Sequence, residues 1–325
     1  MINVKRLLDL DCKFKRYDGW SGADGIFSFV YKDNILMYFS DTFIGKSNEL
    51  DKRISFELIN NSLAISSVDL DKIKFIYNEN PVSSVFVTKN GYYWLQDGII
   101  ENDYLYIFAL RMENDIFSSI PFKINAVDLI KLSLPFDDSI NYCISKTNLL
   151  MENIVLGTAI IKEKDYYYIY GYINDFTDKK LILSRCKSLK SLQLEYLKQD
   201  GSFNSSLDNL MILKDNFAAE FKIVKIKNKY YIAYTKGSIG KDIYLLVIDD
   251  LFTPYDKELH IYTCKEYGGN IITYNAKIQL AMSSQDKLVI SYNVNTLVNE
   301  EHENLDIYRP RFIQIEMEDV YNEIK

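Results

Sequence analysis

Histidine and cysteine are scarce in this chain, and their scarcity removes several chemistries at once. The two histidines, His260 and His302, stand in no ligand-like cluster, so a histidine-based zinc site and a Ser-His-Asp triad both lack a foundation. Four cysteines, Cys12, Cys143, Cys186 and Cys264, lie far apart. That spacing excludes a zinc knuckle or a dense disulfide framework and points to buried free thiols. The one glycine-bearing stretch that invites comparison with a phosphate loop, "KGSIGKD" at 236–242, follows a strand in a hairpin context and reads as a turn. Neither a cofactor nor a metal is expected.

No apolar run is long enough to span a bilayer, so no membrane partner is expected. The first twenty residues carry acids inside their short apolar run and have no small-residue cleavage site, unlike a secretory leader. The chain as given is therefore expected in the cytoplasm, or outside the cell if a leader was removed. Positive charge is in short supply as well. With 38 Lys and Arg against 45 Asp and Glu, the formal charge is −7. The lysines are scattered among acids, which disfavours a nucleic-acid partner. Only 5 Pro and 13 Gly occur, and no linker rich in Pro, Gly or Ser divides the chain, so residues 1–325 read as one domain.

What the sequence does hold is aromatic residues, 26 Tyr and 18 Phe, the side chains that suit a pleated, half-buried surface. Self-similarity organises them. Five segments share one grammar of apolar strand, polar turn and aromatic-rich strand: "FSFVYKDNILMYFSD", "DGIIENDYLYIFAL", "GTAIIKEKDYYYIYGY", "EFKIVKIKNKYYIAYT" and "KIQLAMSSQDKLVISYN". Their turns fall near Asn34, Asp103, Asp165, Asn228 and Asp286, a spacing of roughly 60 to 70 residues that leaves room for four strands per repeat. The expected fold is an all-β, five-bladed β-propeller with blades near 24–80, 90–145, 154–205, 217–268 and 274–320. The strand-like tail "LDIYRPRFIQIEM" lets the chain termini close the ring.

Aligned on their turns, the five hairpins begin at Asp24, Asp97, Thr158, Glu220 and Lys277. First strands of propeller blades are innermost, so these residues are expected at one mouth of the central channel, where three acids converge. Like charges in a partly desolvated funnel raise at least one pKa, which can leave a protonated acid beside an ionised one. Glycoside hydrolysis needs that pairing. Each acid also has a plainer reading: Asp24 and Asp97 precede glycine as turn residues do, and Glu220 could be an ordinary strand-start acid.

Spread over nearly the whole chain, "GADGIFSF", "YFSDTFIG", "NNSLAI", "WLQDGIIENDYLYIF", "LGTAIIKEKDYYYIYGY", "YNAKIQLAMSSQDKLVISYNVN" and "YRPRFI" resemble the five-bladed β-propeller glycoside hydrolases of the arabinanase and fructosidase kind. The nearer likeness is to the bacterial propeller family that includes endo-D-arabinanases. The resemblance implies a carbohydrate substrate, possibly arabinofuranan-like, of bacterial or plant origin. It assigns Asp24 as base or nucleophile and Asp97 as pKa modulator. Glu220, on the fourth blade where many such enzymes use the third, is taken as acid, its flanking Phe217, Ala218, Ala219 and Phe221 favouring the protonated form. Gln279-Leu280 stands where the nearer family has a His-Pro pair. Alternatives are a non-catalytic glycan-binding propeller and a platform for protein partners.

Around this mouth, Trp20, Trp94 and Tyr274 are candidates for stacking on sugar faces, or for packing between blades. Asn61, Asn275, Gln279 and Asn293 are candidates for bonding sugar hydroxyls, strand-end capping being the alternative for the asparagines. Asp41 is read as an anchor at a blade junction, accepting backbone N–H bonds, with a substrate-facing role as the alternative.

Overall fold

The computed structural model describes residues 2–115, 121–136, 139–175 and 178–324. Strands dominate it. Among the described residues, five antiparallel sheets follow one another along the chain, each running up and down in sequence order. The first holds Phe27–Tyr31, Asn34–Phe39, Ser62–Ser67 and Ile73–Ile76. The second holds Tyr92–Glu101, Tyr104–Asn114, Phe122–Ser133 and Tyr142–Lys146, and the third opens with Ile154–Glu163 and Tyr166–Asp175. In the fourth, Lys222–Ile226 leads to Glu258–Thr263, and in the fifth Ile271–Ile278 leads through Lys287–Thr296 to Arg309–Glu316. The outer strand of that last sheet is Val4–Arg6, with Val4 opposite Ile315, so one sheet takes strands from both ends of the chain.

The hairpins sit where the repeated grammar put them, and four share a turn. Two-residue loops open with a positive φ at Lys32 (54°), Asn102 (53°), Lys164 (52°) and Lys227 (55°). That hand of turn matches the twist of the flanking strands and outweighs the modest cost of left-handed backbone at a side-chain-bearing residue. The fifth hairpin instead has a longer connection containing a 3₁₀ turn at Leu280–Met282.

Alternation along each strand places apolar side chains on both faces, and each face meets a neighbouring sheet. Among the described residues six apolar clusters result: one between each consecutive pair, one between the fifth sheet and the first, and one along the third sheet with Ile154, Ile182 and Tyr196. Tyr38 and Leu95 share one, Phe108 and Val155 the next. Tyr170 and Ile232, then Tyr231 and Ile290, belong to the following two. Phe39 and Phe312 belong to the one between the fifth sheet and the first. Each buried aromatic ring removes 150–250 Å² from water, on the order of several kcal/mol at about 25 cal/mol per Å².

Two features depart from the sequence reading. A small sheet of Asp18–Ala23, Thr42–Ser47 and Arg53–Ile59 is inserted around the first hairpin. Cys12 and Cys143 are exposed, so only Cys186 and Cys264 are buried thiols.

Candidate functional site

The first strands do not run smoothly. Tyr92–Glu101 and Ile271–Ile278 each carry an irregularity in register, between Leu95 and Gly98 and between Tyr274 and Lys277. Ile154–Glu163 has one between Leu156 and Ala159. Bulges re-aim side chains, and these ones turn out Asp97, Asn275 and Thr158. Gly157, at φ +87°, is obligatory there because a Cβ would lie 2.2 Å from Cγ of Phe108.

Asp24 enters from a different construction. It lies between the inserted sheet and the first hairpin, where its N–H donates to the Asp41 carbonyl (3.1 Å) and its own carbonyl accepts from Ser40 (3.0 Å). The two acids that bracket this hairpin are thereby fastened together. Oδ2 of Asp24 accepts from the hydroxyls of Tyr274 (2.9 Å) and Tyr308 (3.1 Å), both from the far end of the chain. Oδ1 is buried and has no partner among the described residues. Burial, reinforced by the charges of Asp41 and Glu220, pushes this carboxyl well above the usual carboxylate range, against the pull of the two phenols. Asp41 accepts on Oδ1 from Nδ2 of Asn60 (2.9 Å) and the indole N–H of Trp94 (2.8 Å). Burial lifts it to about 6, opposed by those two donors and helped by Glu220.

Glu220 has its own counter-charge. Nζ of Lys277, a lysine with no exposed side-chain surface, lies 2.7 Å from Oε2 and 3.9 Å from the centre of the Phe27 ring. Glu220 stands in the bend just before the strand, and Lys222, two residues on, opens it and reaches a different acid. It meets Asp97 at 2.7 Å and lies over Phe29. Asp97 also accepts the backbone N–H of Ile160 on its second oxygen (3.1 Å) and is fully buried. It therefore does not join the other acids on one accessible surface: the bulge aims it at a lysine.

The structure thus assembles Asp24, Asp41 and Glu220 with Tyr274 and Trp94 around one spot. Asn293 reaches the edge of this group, giving an N–H to the carbonyl of Ala23 (3.0 Å) while its Oδ1 stays buried without a partner among the described residues. Asn275 lies in its bulge at φ 56°, largely covered. Three candidates are placed elsewhere. Trp20 is buried, stacked on Phe75 at 4.2 Å, so it builds core and offers no sugar platform. Asn61 uses its amide on the backbone of Phe86 and Tyr93. Gln279 spends its own on Ser28, Ile26 and Ser291, tying the fifth sheet to the first. For Asp41, the donors are side-chain N–H groups rather than the backbone ones expected. Tyr308 and the Lys277–Glu220 pairing were not foreseen: Tyr308 stands inside the quoted "YRPRFI" stretch, whose tyrosine was the available signal.

Residues 8–318 match the domain family described as Domain of unknown function (DUF5005). No curated protein matches the sequence. Among solved structures, the chain is similar to a protein from Bacteroides ovatus ATCC 8483 described as a putative hydrolase: 19% identity, 97% of this chain and 90% of that one, TM-score 0.79. It is also similar to the Bombyx mori GH32 β-fructofuranosidase BmSUC1, solved as a mutant with sucrose (11% identity, 94% of this chain, 64% of that one, TM-score 0.53). A third likeness is to the catalytic domain of the Coprinopsis cinerea GH62 α-L-arabinofuranosidase (9% identity, 93% and 92% covered, TM-score 0.50). At these identities the likeness is one of fold, that of β-propeller glycoside hydrolases.

Proposed function

The chain belongs to the DUF5005 family, and from that premise we propose that it is a glycoside hydrolase on a single five-bladed β-propeller, cleaving a furanoside bond in a bacterial or plant polysaccharide. The five consecutive sheets, with Gln279 linking the last to the first, support the blade count. One observation carries the activity: three carboxyl groups meet in one site in unlike surroundings. Asp24 is lifted by burial and by its neighbours, while Glu220 has a buried lysine at 2.7 Å.

Glycosidic cleavage uses such a pair as acid and as base or nucleophile. Tyr274 and Tyr308 occupy Oδ2 of Asp24, so its proton resides on Oδ1. From there it passes to the glycosidic oxygen as the bond to the anomeric carbon breaks. The Glu220 carboxylate then either takes a proton from the attacking water or itself bonds to that carbon, according to its separation from Asp24. Asp41 keeps the Asp24 proton in place by its charge. The roles suggested for Asp24 and Glu220 by family resemblance are exchanged in this scheme, because burial pushes the Asp24 carboxyl up while Glu220 is the acid paired with a lysine. A non-catalytic glycan-binding reading is favoured by a single observation, the sequestration of Asp97 by Lys222.

The test is turnover of cell-wall and plant arabinans and of aryl arabinofuranosides by wild type, Asp24→Asn and Glu220→Gln. Loss of an acid or base costs about 10²–10⁴-fold. Asp24→Asn is expected to lose the polysaccharide while retaining part of its rate on an activated aryl group, and Glu220→Gln to lose both. Glycan retained without turnover leaves the binding reading, and wild-type rates in both variants refute the mechanism.

A further inference from the structure

A run of rings leads away from Asp41 along the second sheet. Trp94 is tethered to the site by its own N–H on Asp41. Tyr92, two positions earlier on the same strand and so on the same side, has its ring centre 6.1 Å from that of Trp94. Phe122, from the third strand, meets Trp94 edge-on at 4.7 Å and 71°. Phe122 keeps 37% of its surface in water, so it does not complete the core behind Trp94. Across Asp41 from these rings lies the Asn60 amide, a hydrogen-bonding group.

We propose that Tyr92, Trp94 and Phe122 form a stacking subsite for a sugar unit beyond the cleaved bond, which makes the substrate a neutral oligo- or polysaccharide rather than a small glycoside. A sugar ring presents an apolar face and a polar rim, matching an aromatic face beside an amide and a carboxylate. Continuity argues for the same chain: the ring nearest the acids is hydrogen-bonded to one of them. Charge selects within the class, because among the described residues the carboxyls of Asp41 and Glu220 meet a single lysine, Lys277, and would repel a uronate polymer. Phe122 is then a specificity-determining residue. The proposal rests on the hydrolase reading only for the position of the cleaved bond.

Affinity electrophoresis tests it apart from turnover. Gels containing linear arabinan, xylan or levan, with polygalacturonate as the acidic control, are run with wild type, Glu220→Gln, Phe122→Ala and Phe122→Tyr. At least one neutral polymer should retard wild type and Glu220→Gln. Phe122→Ala should bind it roughly three- to tenfold more weakly, with Phe122→Tyr restored. Equal retardation of wild type and Phe122→Ala overturns the subsite, as does stronger retardation by polygalacturonate or none by any neutral polymer. Retardation without product release fails the hydrolase reading and leaves the subsite standing. Hydrolysis of aryl glycosides without polymer retention does the reverse.

Discussion

Asp41→Asn removes one titrating carboxyl yet keeps the Oδ1 acceptor that Asn60 and Trp94 use. In the folded chain that carboxyl is lifted from 3.8 to about 6, chiefly by burial. An unfolded chain holds aspartate near its ordinary value, about 3.9. Between these values the folded state binds a proton that the unfolded state has lost. The stabilisation from this group is therefore complete below about pH 4 and is lost as pH rises through about 6. The span is roughly two pH units at about 1.4 kcal/mol each, which gives about 3 kcal/mol. Burial pushes the Asp24 carboxyl up as well, and the Asp41 charge adds to that rise, so the variant also relieves part of it. Denaturant unfolding of wild type and Asp41→Asn in half-unit steps from about pH 4 to 7 reads this directly. Wild type should lose about 3 kcal/mol relative to the variant, and the difference should be flat above pH 7. Parallel curves would refute the reasoning. Wild type gaining stability over the variant as pH rises would mean that the Asn60 and Trp94 donors outweigh burial.

Asp97→Asn leaves Lys222 buried without its counter-charge, so unfolding free energy should fall by about 3–5 kcal/mol. Replacing both partners with Leu and Met should recover most of that loss in the same denaturant assay, whereas an equal loss in the double variant would rule out the ion pair as the cause. Gly157→Ala combines left-handed backbone, about 1–2 kcal/mol, with overpacking against Phe108, about 1–3 kcal/mol. An unfolding midpoint unchanged from wild type would show that the bulge relaxes freely.

The hairpins were legible because their signal is local: apolar alternation and a polar turn recur within about fifteen residues. Asp24 and Glu220 were found the same way, by their place at the start of each repeat. Position in the repeat could not say which way a bulge aims a side chain, and so the pairing of Asp97 with Lys222 was not foreseen. Pairings that cross the molecule left no local trace. Lys277 on Glu220 and Tyr308 on Asp24 link residues 57 and 284 positions apart. Which of the two readings of Trp20 holds, sugar platform or packing between blades, left no local trace either: its neighbour Phe75 comes from the last strand of the first sheet.

The strand at Val4–Arg6 pairs with Arg309–Glu316, and that pairing constrains how the chain reaches its folded state. Bringing ends some three hundred residues apart into register costs on the order of 5 kcal/mol in loop entropy, so the contact is expected to form late. During synthesis the amino-terminal strand waits while nearly all the rest emerges. Until residue 316 is free, the hairpin of Ile271–Ile278 and Lys287–Thr296 presents an open edge to any passing chain. Polar Lys287, Ser291 and Asn293 on that edge strand are what the half-made molecule has to discourage such pairing.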